Sequence, residues 1–183
     1  MHYLDRHSVR LKDHNYNDGV YFVTICTADR LCLFGDITNG VMHLNTLGEF
    51  AAQNLRSISE HNPYAACPLF VVMPNHIHAI FFIKACNISN TQGESGFAPT
   101  ENTNISPRRG SLSVVVRGFK IAVTRFANLQ DIGFEWQRSF HEHLVRDSQE
   151  LDRIVEYIEN NPANWETDEY RKRPLHSKIC LVH

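Results

Sequence analysis

The sequence predicts an α+β domain, a mostly antiparallel sheet with helices packed on it. Two observations carry this. Three apolar, β-branched and aromatic runs, at 20–27, 69–72 and 76–83, have the length and composition of strands. Three longer segments, near 46–59, 111–129 and 147–161, place their apolar residues at helical spacing. The order is strand, hairpin, helix, two central strands, helix, strand, helix.

Val20 to Thr27 is the first strand. Asn39-Gly40 marks a hairpin turn, and Val41 to Leu44 follows it as a short strand. Asn45 or Thr46 caps a helix running to about Ser59, with Leu47, Phe50, Ala51, Leu55 and Ile58 on its buried side, and Pro63 stops it. Strands 69–72 and 76–83 flank a tight connection. A helix begins at Ser111 or Ser113 and runs to about Leu129, with an apolar stripe of Val115, Phe119, Ala122, Phe126 and Leu129. Alternation over Phe134 to Arg146 predicts a last strand. Asp147 caps the last helix, with Glu150 three residues on. That helix buries Leu151, Ile154, Val155 and Ile158 and ends near Asn161, before Pro162.

The chain has 183 residues, 43% of them hydrophobic, enough for one domain with an ordinary core. We expect a single unit over 1–183. Residues 85–110, rich in Asn, Ser, Thr, Gly and Pro, are expected to form a flexible loop. No run approaches the roughly eighteen apolar residues of a membrane span, and the start has no apolar signal region. Five cysteines (26, 32, 67, 86 and 180), with no Cys-x-x-Cys, point away from a disulfide framework and toward a reducing cytoplasm.

The net charge of −2 does not announce a nucleic-acid binder. Its distribution says more. Asn104 to Arg146 holds Arg108, Arg109, Arg117, Lys120, Arg125, Arg138 and Arg146 against three acids, and Asp147 to Glu169 is acidic. These basic residues either grip a phosphate backbone or form an ordinary solvated face.

The chemistry centres on Met73-Pro74-Asn75-His76-Ile77-His78. Side chains alternate on a strand, so His76 and His78 share one face and Ile77 enters the opposite layer. Two imidazoles on one rigid face are a ready pair of metal ligands. Some eighty residues on, Tyr157 lies at the edge of the last helix's apolar stripe. Asn161 follows one turn later on the same side, with an amide oxygen that is a hard ligand. Two imidazoles, an amide oxygen and open positions suit Mg²⁺ or Mn²⁺. Zinc would accept the histidines too, but no thiol or carboxylate is evidently placed to close a tetrahedral site.

A His-hydrophobic-His pair with a distant helical tyrosine is the residue set of the HUH single-strand nucleases. Across most of its length the chain resembles one branch of them, the REP-associated tyrosine transposases of the single-tyrosine insertion-sequence group. The resemblance runs through Ser8 to Leu11, Tyr21 to Thr27, Val71 to His78, Phe119-Lys120, Trp136 to Phe140, His143 to Asp147 and Tyr157 to Pro162. It implies a ferredoxin-like core, with His76 and His78 as the metal-binding pair, Tyr157 as the nucleophile and Asn161 as the third ligand. It implies a metal-dependent endonuclease and strand transferase that acts on single-stranded or hairpin DNA through a 5′-phosphotyrosine intermediate, as a cytoplasmic monomer or homodimer. Two other readings share some of these residues, a rolling-circle replication initiator and a non-catalytic hairpin-binding regulator.

Overall fold

The computed structural model describes residues 19–84 and 111–171. The expected loop at 85–110, with Arg108 and Arg109, lies outside the described residues, as does Ser8 to Leu11.

Among the described residues six strands and four helices follow in chain order: β1 (Val20–Cys26), β2 (Gly35–Thr38), β3 (Val41–Leu44), α1 (Thr46–Arg56), α2 (Ile58–His61), β4 (Ala65–Val72), β5 (His76–Ile83), α3 (Leu112–Leu129), β6 (His141–Val145) and α4 (Ser148–Asn160). Short 3₁₀ turns lie at Ala28–Arg30 and Trp165–Thr167. The main sheet has the order β4-β5-β1-β6, and every neighbouring pair is antiparallel. β1 and β4 therefore run parallel to each other on either side of β5. With α1 and α3 as the crossovers, this is the split βαβ arrangement of a ferredoxin-like core. The β2–β3 hairpin forms a separate two-stranded sheet between β1 and α1. Asn39 (φ 54°) and Gly40 (φ 73°) both adopt the left-handed conformation its tight turn requires.

The alternation of β1 and β5 sorts the core into two layers. Val23, Ile25, Ile77, Ala79 and Phe81 face α1 and α3 and pack with Leu55, Val116, Phe119 and Val123. Val20, Ile80 and Phe82 face the other way and pack with Val145, Leu151 and Ile158 of β6 and α4. α4 thus covers the sheet face opposite the two crossover helices, the face on which His76 and His78 lie. At the start of α1, a Cβ on Gly48 would stand 2.2 Å from the Phe34 carbonyl oxygen. Only glycine lets the helix begin against that backbone.

Three elements differ from expectation. The helix after Asn45 breaks at Ser57, and α2 is a separate turn. β4 starts four residues before Leu69, and its register shifts between Ala66 and Leu69, where Pro68 has no N–H to give the ladder. The last strand is only His141–Val145. Before it, Trp136 touches β1's end through one isolated bridge to Thr27. Phe134 and Trp136 are held by aromatic packing on Phe34 and Phe119 rather than by a strand ladder. Among the described residues no helix is long and apolar enough to cross a membrane.

Candidate metal and tyrosine site

The Met73-Pro74-Asn75 connection between β4 and β5 is clamped from several sides. The Pro74 carbonyl accepts from the backbone N–H groups of Leu33 (2.9 Å) and Phe34 (3.0 Å), and the Asn75 carbonyl accepts from that of Thr27 (2.9 Å). The buried Asn75 amide nitrogen donates to the carbonyls of Arg30 (3.1 Å) and Tyr170 (2.9 Å). That fixes which end of the amide faces His76. Its Oδ1 lies 2.8 Å from His76 Nδ1 and must accept a proton there. His76 therefore carries its hydrogen on Nδ1 and presents a bare Nε2.

His78 is also held at its Nδ1, by a hydroxyl that can donate or accept. Its Nδ1 lies 2.9 Å from the buried Thr24 hydroxyl, its partner across the β1–β5 ladder. Phe22 stacks on its ring at 5.3 Å. The two Nε2 atoms stand 3.1 Å apart. Both histidines are buried, at 0% and 1% exposure. Burial is the main cause holding the His76 pKa down at about 2, followed by the charges of His78 and Arg30. Burial likewise holds His78 at about 3. Both rings are neutral near pH 7, the form that binds metal.

α4 brings Tyr157 over this pair. Its hydroxyl is 3.2 Å from His78 Nε2, its ring meets the edge of Phe22 at 6.0 Å, and the residue remains 42% exposed. The Tyr157 pKa is pushed up to about 12, by burial first and then by the negative charge of Asp168. Asn161, the residue that ends α4, is 2% exposed. It lies close enough to His76, Tyr157 and Asp168 to affect the ionisation of all three. Its Oδ1 has no hydrogen-bond partner among the described residues. A buried amide oxygen without a partner is costly unless a donor or a cation satisfies it.

Asp168 was not expected. Its Oδ2 is 3.9 Å from His76 Nε2, and ligand atoms of His76, His78 and Asp168 all lie within 4.8 Å of one another. The Tyr170 backbone N–H donates to its other oxygen at 2.6 Å. Burial raises the Asp168 pKa, opposed by hydrogen bonds from Tyr170 and Asn161. The sequence argument against a closed site held that no carboxylate was placed to complete it, and Asp168 corrects that. It sits on the 3₁₀ turn and bend after Pro162, where no periodicity marks which of several acids turns inward. Its one sequence signal is Trp165, the apolar anchor of that turn, which packs on His76 at 6.1 Å. The donor set fits a divalent cation: two imidazole nitrogens 3.1 Å apart, a carboxylate and an unpartnered amide oxygen.

Five of the expected DNA-binding residues are described. Arg117 and Arg125 are exposed on α3, in the layer across the sheet from the histidines. Lys120 is half-buried, and its ammonium donates to the Gln137 carbonyl at 2.7 Å. Arg138 and Arg146 are exposed on either side of β6.

No family model matches the chain. An uncharacterized protein of Haemophilus influenzae is 38% identical over 169 residues, covering 90% of this chain and 92% of that protein. A protein of the same organism described as "Putative REP-associated tyrosine transposase" is 27% identical over 145 residues, covering 79% of this chain and 70% of that protein. The solved structure of a REP-associated tyrosine transposase bound to a REP hairpin has a TM-score of 0.53 and 18% identity, covering 90% of this chain and 74% of that one. That likeness is one of fold. The chain belongs to one family with the uncharacterized Haemophilus influenzae protein and is a distant homologue of the REP-associated tyrosine transposases.

Proposed function

We propose that this chain is a metal-dependent endonuclease and strand transferase that acts on single-stranded DNA at short hairpin-forming sequences, through a 5′-phosphotyrosine intermediate. One observation carries the reading most. A half-exposed tyrosine hydroxyl lies 3.2 Å from one of two buried, neutral imidazole nitrogens that are themselves 3.1 Å apart.

His76, His78 and Asp168 are the residues that would hold the ion, with Asn161 Oδ1 beside them, and we assign Mg²⁺ or Mn²⁺. When bound, such an ion supplies positive charge for a non-bridging phosphoryl oxygen. The chain's own residues do the rest. Asn75 and Thr24 hold the two imidazoles by their Nδ1 atoms, so that both Nε2 atoms can face the ion. Phe22 and the α4 backbone aim the Tyr157 ring. The Tyr157 oxygen attacks phosphorus, a P–O bond forms to tyrosine, and the bond to the DNA 3′-oxygen breaks. The phenol proton passes to solvent at the exposed edge, and the departing oxygen takes one up to become a 3′-hydroxyl. The phosphotyrosine ester retains the phosphodiester's energy, so a DNA 3′-hydroxyl can reverse the step and join strands. A nicking tyrosine needs an accessible backbone, which favours unpaired strands beside a hairpin over perfect duplex.

The test is a cleavage assay with a labelled hairpin carrying single-stranded flanks, with perfect duplex as control. We expect metal-dependent cleavage of the hairpin only, leaving a free 3′-hydroxyl and a protein-blocked 5′ end. Free 5′-phosphate ends formed without any protein adduct would identify a hydrolase and overturn the transferase reading.

A further inference from the structure

One cation beside the site belongs to none of the groups above. Arg30 follows β1 in the Ala28–Arg30 turn, where Asp29 (φ 52°) and Arg30 (φ 56°) are both left-handed. Two consecutive non-glycine residues in that conformation are strained. Strain of this kind persists only where the surroundings over-determine it. Here they do. The Thr27 hydroxyl shares its one hydrogen between the carbonyls of Leu31 (2.8 Å) and Asn75 (3.0 Å), the Ala28 N–H donates to the Glu135 carbonyl (2.8 Å), and the Arg30 carbonyl receives the Asn75 amide. The residue that sets the His76 tautomer thus also fixes the Arg30 backbone.

The Arg30 side chain is held as well. Its guanidinium lies over the Tyr170 ring at 4.4 Å, and that ring packs on His76 at 4.7 Å. Its charge is felt at His76, Cys26, Asp168 and Tyr170. Yet among the described residues Arg30 has no ion pair and no side-chain hydrogen bond. Arg171, the other arginine near this turn, is paired with Glu166. A half-buried guanidinium held in place with its fork of donors unused is built for a planar, bidentate anion.

We propose that Arg30 grips a phosphate of the DNA strand beside the scissile one, with Tyr170 as the spacer that sets its distance from the histidine pair. The inference rests on the DNA-cleaving reading above and adds a strand-positioning residue to it. A bidentate contact to a neighbouring phosphate fixes the strand's register over Tyr157, so that one phosphodiester is presented for attack.

The experiment measures binding of a fluorescent hairpin with single-stranded flanks, in EDTA so that no cleavage intervenes. The scissile position is first mapped with wild-type protein and Mn²⁺. Each phosphate flanking it is then replaced singly by an uncharged methylphosphonate. For wild type, one of these replacements should weaken binding roughly tenfold. Arg30→Gln should bind the unmodified hairpin roughly tenfold more weakly and be indifferent to that same replacement. Arg30→Lys should fall between. A Mn²⁺ titration of Arg30→Gln should still show the histidine site, which reports an intact fold. The proposal is overturned if Arg30→Gln binds like wild type, if it stays as sensitive to every methylphosphonate as wild type, or if it loses the metal site and its cooperative unfolding. A wild-type protein that neither binds nor cuts the hairpin would instead remove the underlying reading, and this assignment with it.

Discussion

The Tyr157 hydroxyl lies 3.2 Å from His78 Nε2, a hydrogen bond whose direction is set by the His78 tautomer. That nitrogen can make this hydrogen bond or bind a metal, but not both. Loading the site must therefore break the Tyr157–His78 hydrogen bond and release the hydroxyl from the histidine. Tyr157→Phe removes this competing hydrogen bond, so metal binding to the variant should be tighter by up to about fivefold, the worth of one net hydrogen bond of about 1 kcal/mol. Calorimetric titration with Mn²⁺ checks this. Weaker binding by Tyr157→Phe would mean that the phenol is itself a ligand.

Asp168 should contribute to the same affinity. Asp168→Asn keeps the shape and removes the charge, so Mn²⁺ affinity should fall on the order of 10–100-fold. Thermal unfolding without metal should change little, since one carboxylate oxygen still has an amide counterpart for the Tyr170 N–H. An unchanged Mn²⁺ affinity would leave His76, His78 and Asn161 as the whole ligand set.

The histidines set a pH dependence for the metal-free protein. Their folded pKa values are held at about 2 and 3, against 6.5 in the unfolded chain. Below pH 6.5 the unfolded chain binds protons that the folded one refuses, so stability declines as pH falls toward 3. The slope is at most about 1.4 kcal/mol per pH unit for each ring. Urea unfolding in EDTA at pH 7 and pH 5 should show this loss. His76→Gln, His78→Gln should be less sensitive over the same interval. Identical pH slopes for the two proteins would contradict the assignment of burial as the cause.

Asn75 should matter to stability more than any capping residue. Asn75→Ala removes two donors and one acceptor from a buried junction that joins the Arg30, His76 and Tyr170 segments. The expected cost is about 3 kcal/mol. Asp147→Ala loses only the cap on the Glu150 N–H, which is 2.8 Å long and exposed, at a cost of about 1 kcal/mol. Equilibrium denaturation of both variants orders them, and a larger loss for Asp147→Ala would contradict the account.

Much of this was legible in the sequence, for physical reasons. Period-two alternation put His76 and His78 on one face because β5 is buried on both sides and its register is therefore fixed. Asp147 and Glu150 announced the start of α4, although the Glu150 carboxylate reaches the Arg146 N–H and His143 rather than the cap residue's own N–H. Helical spacing put Tyr157 and Asn161 on one side. The acid and the arginine of the site were not legible. Asp168 and Arg30 lie on short turns, where direction is set by carbonyls from distant segments and not by periodicity. Lys120 reads as a surface charge on α3, but its side chain is half-buried, with the ammonium 5.6 Å from the Trp136 ring and donating to the Gln137 carbonyl. The hairpin-directed contacts expected of Arg108 and Arg109 fall outside the described residues.

The central claim is that Tyr157 is the nucleophile, and the most direct measurement is the covalent link itself. Wild type and Tyr157→Phe are incubated with a labelled hairpin and Mn²⁺ and resolved on a denaturing gel, and the adduct is digested for mass spectrometry. Tyr157→Phe keeps the ring on Phe22 and removes only the attacking oxygen. The account predicts a wild-type adduct whose nucleotide maps to Tyr157, and a variant that binds the hairpin and forms none. An adduct that persists in Tyr157→Phe, or one that maps to Tyr170 beside the same histidines, would contradict it.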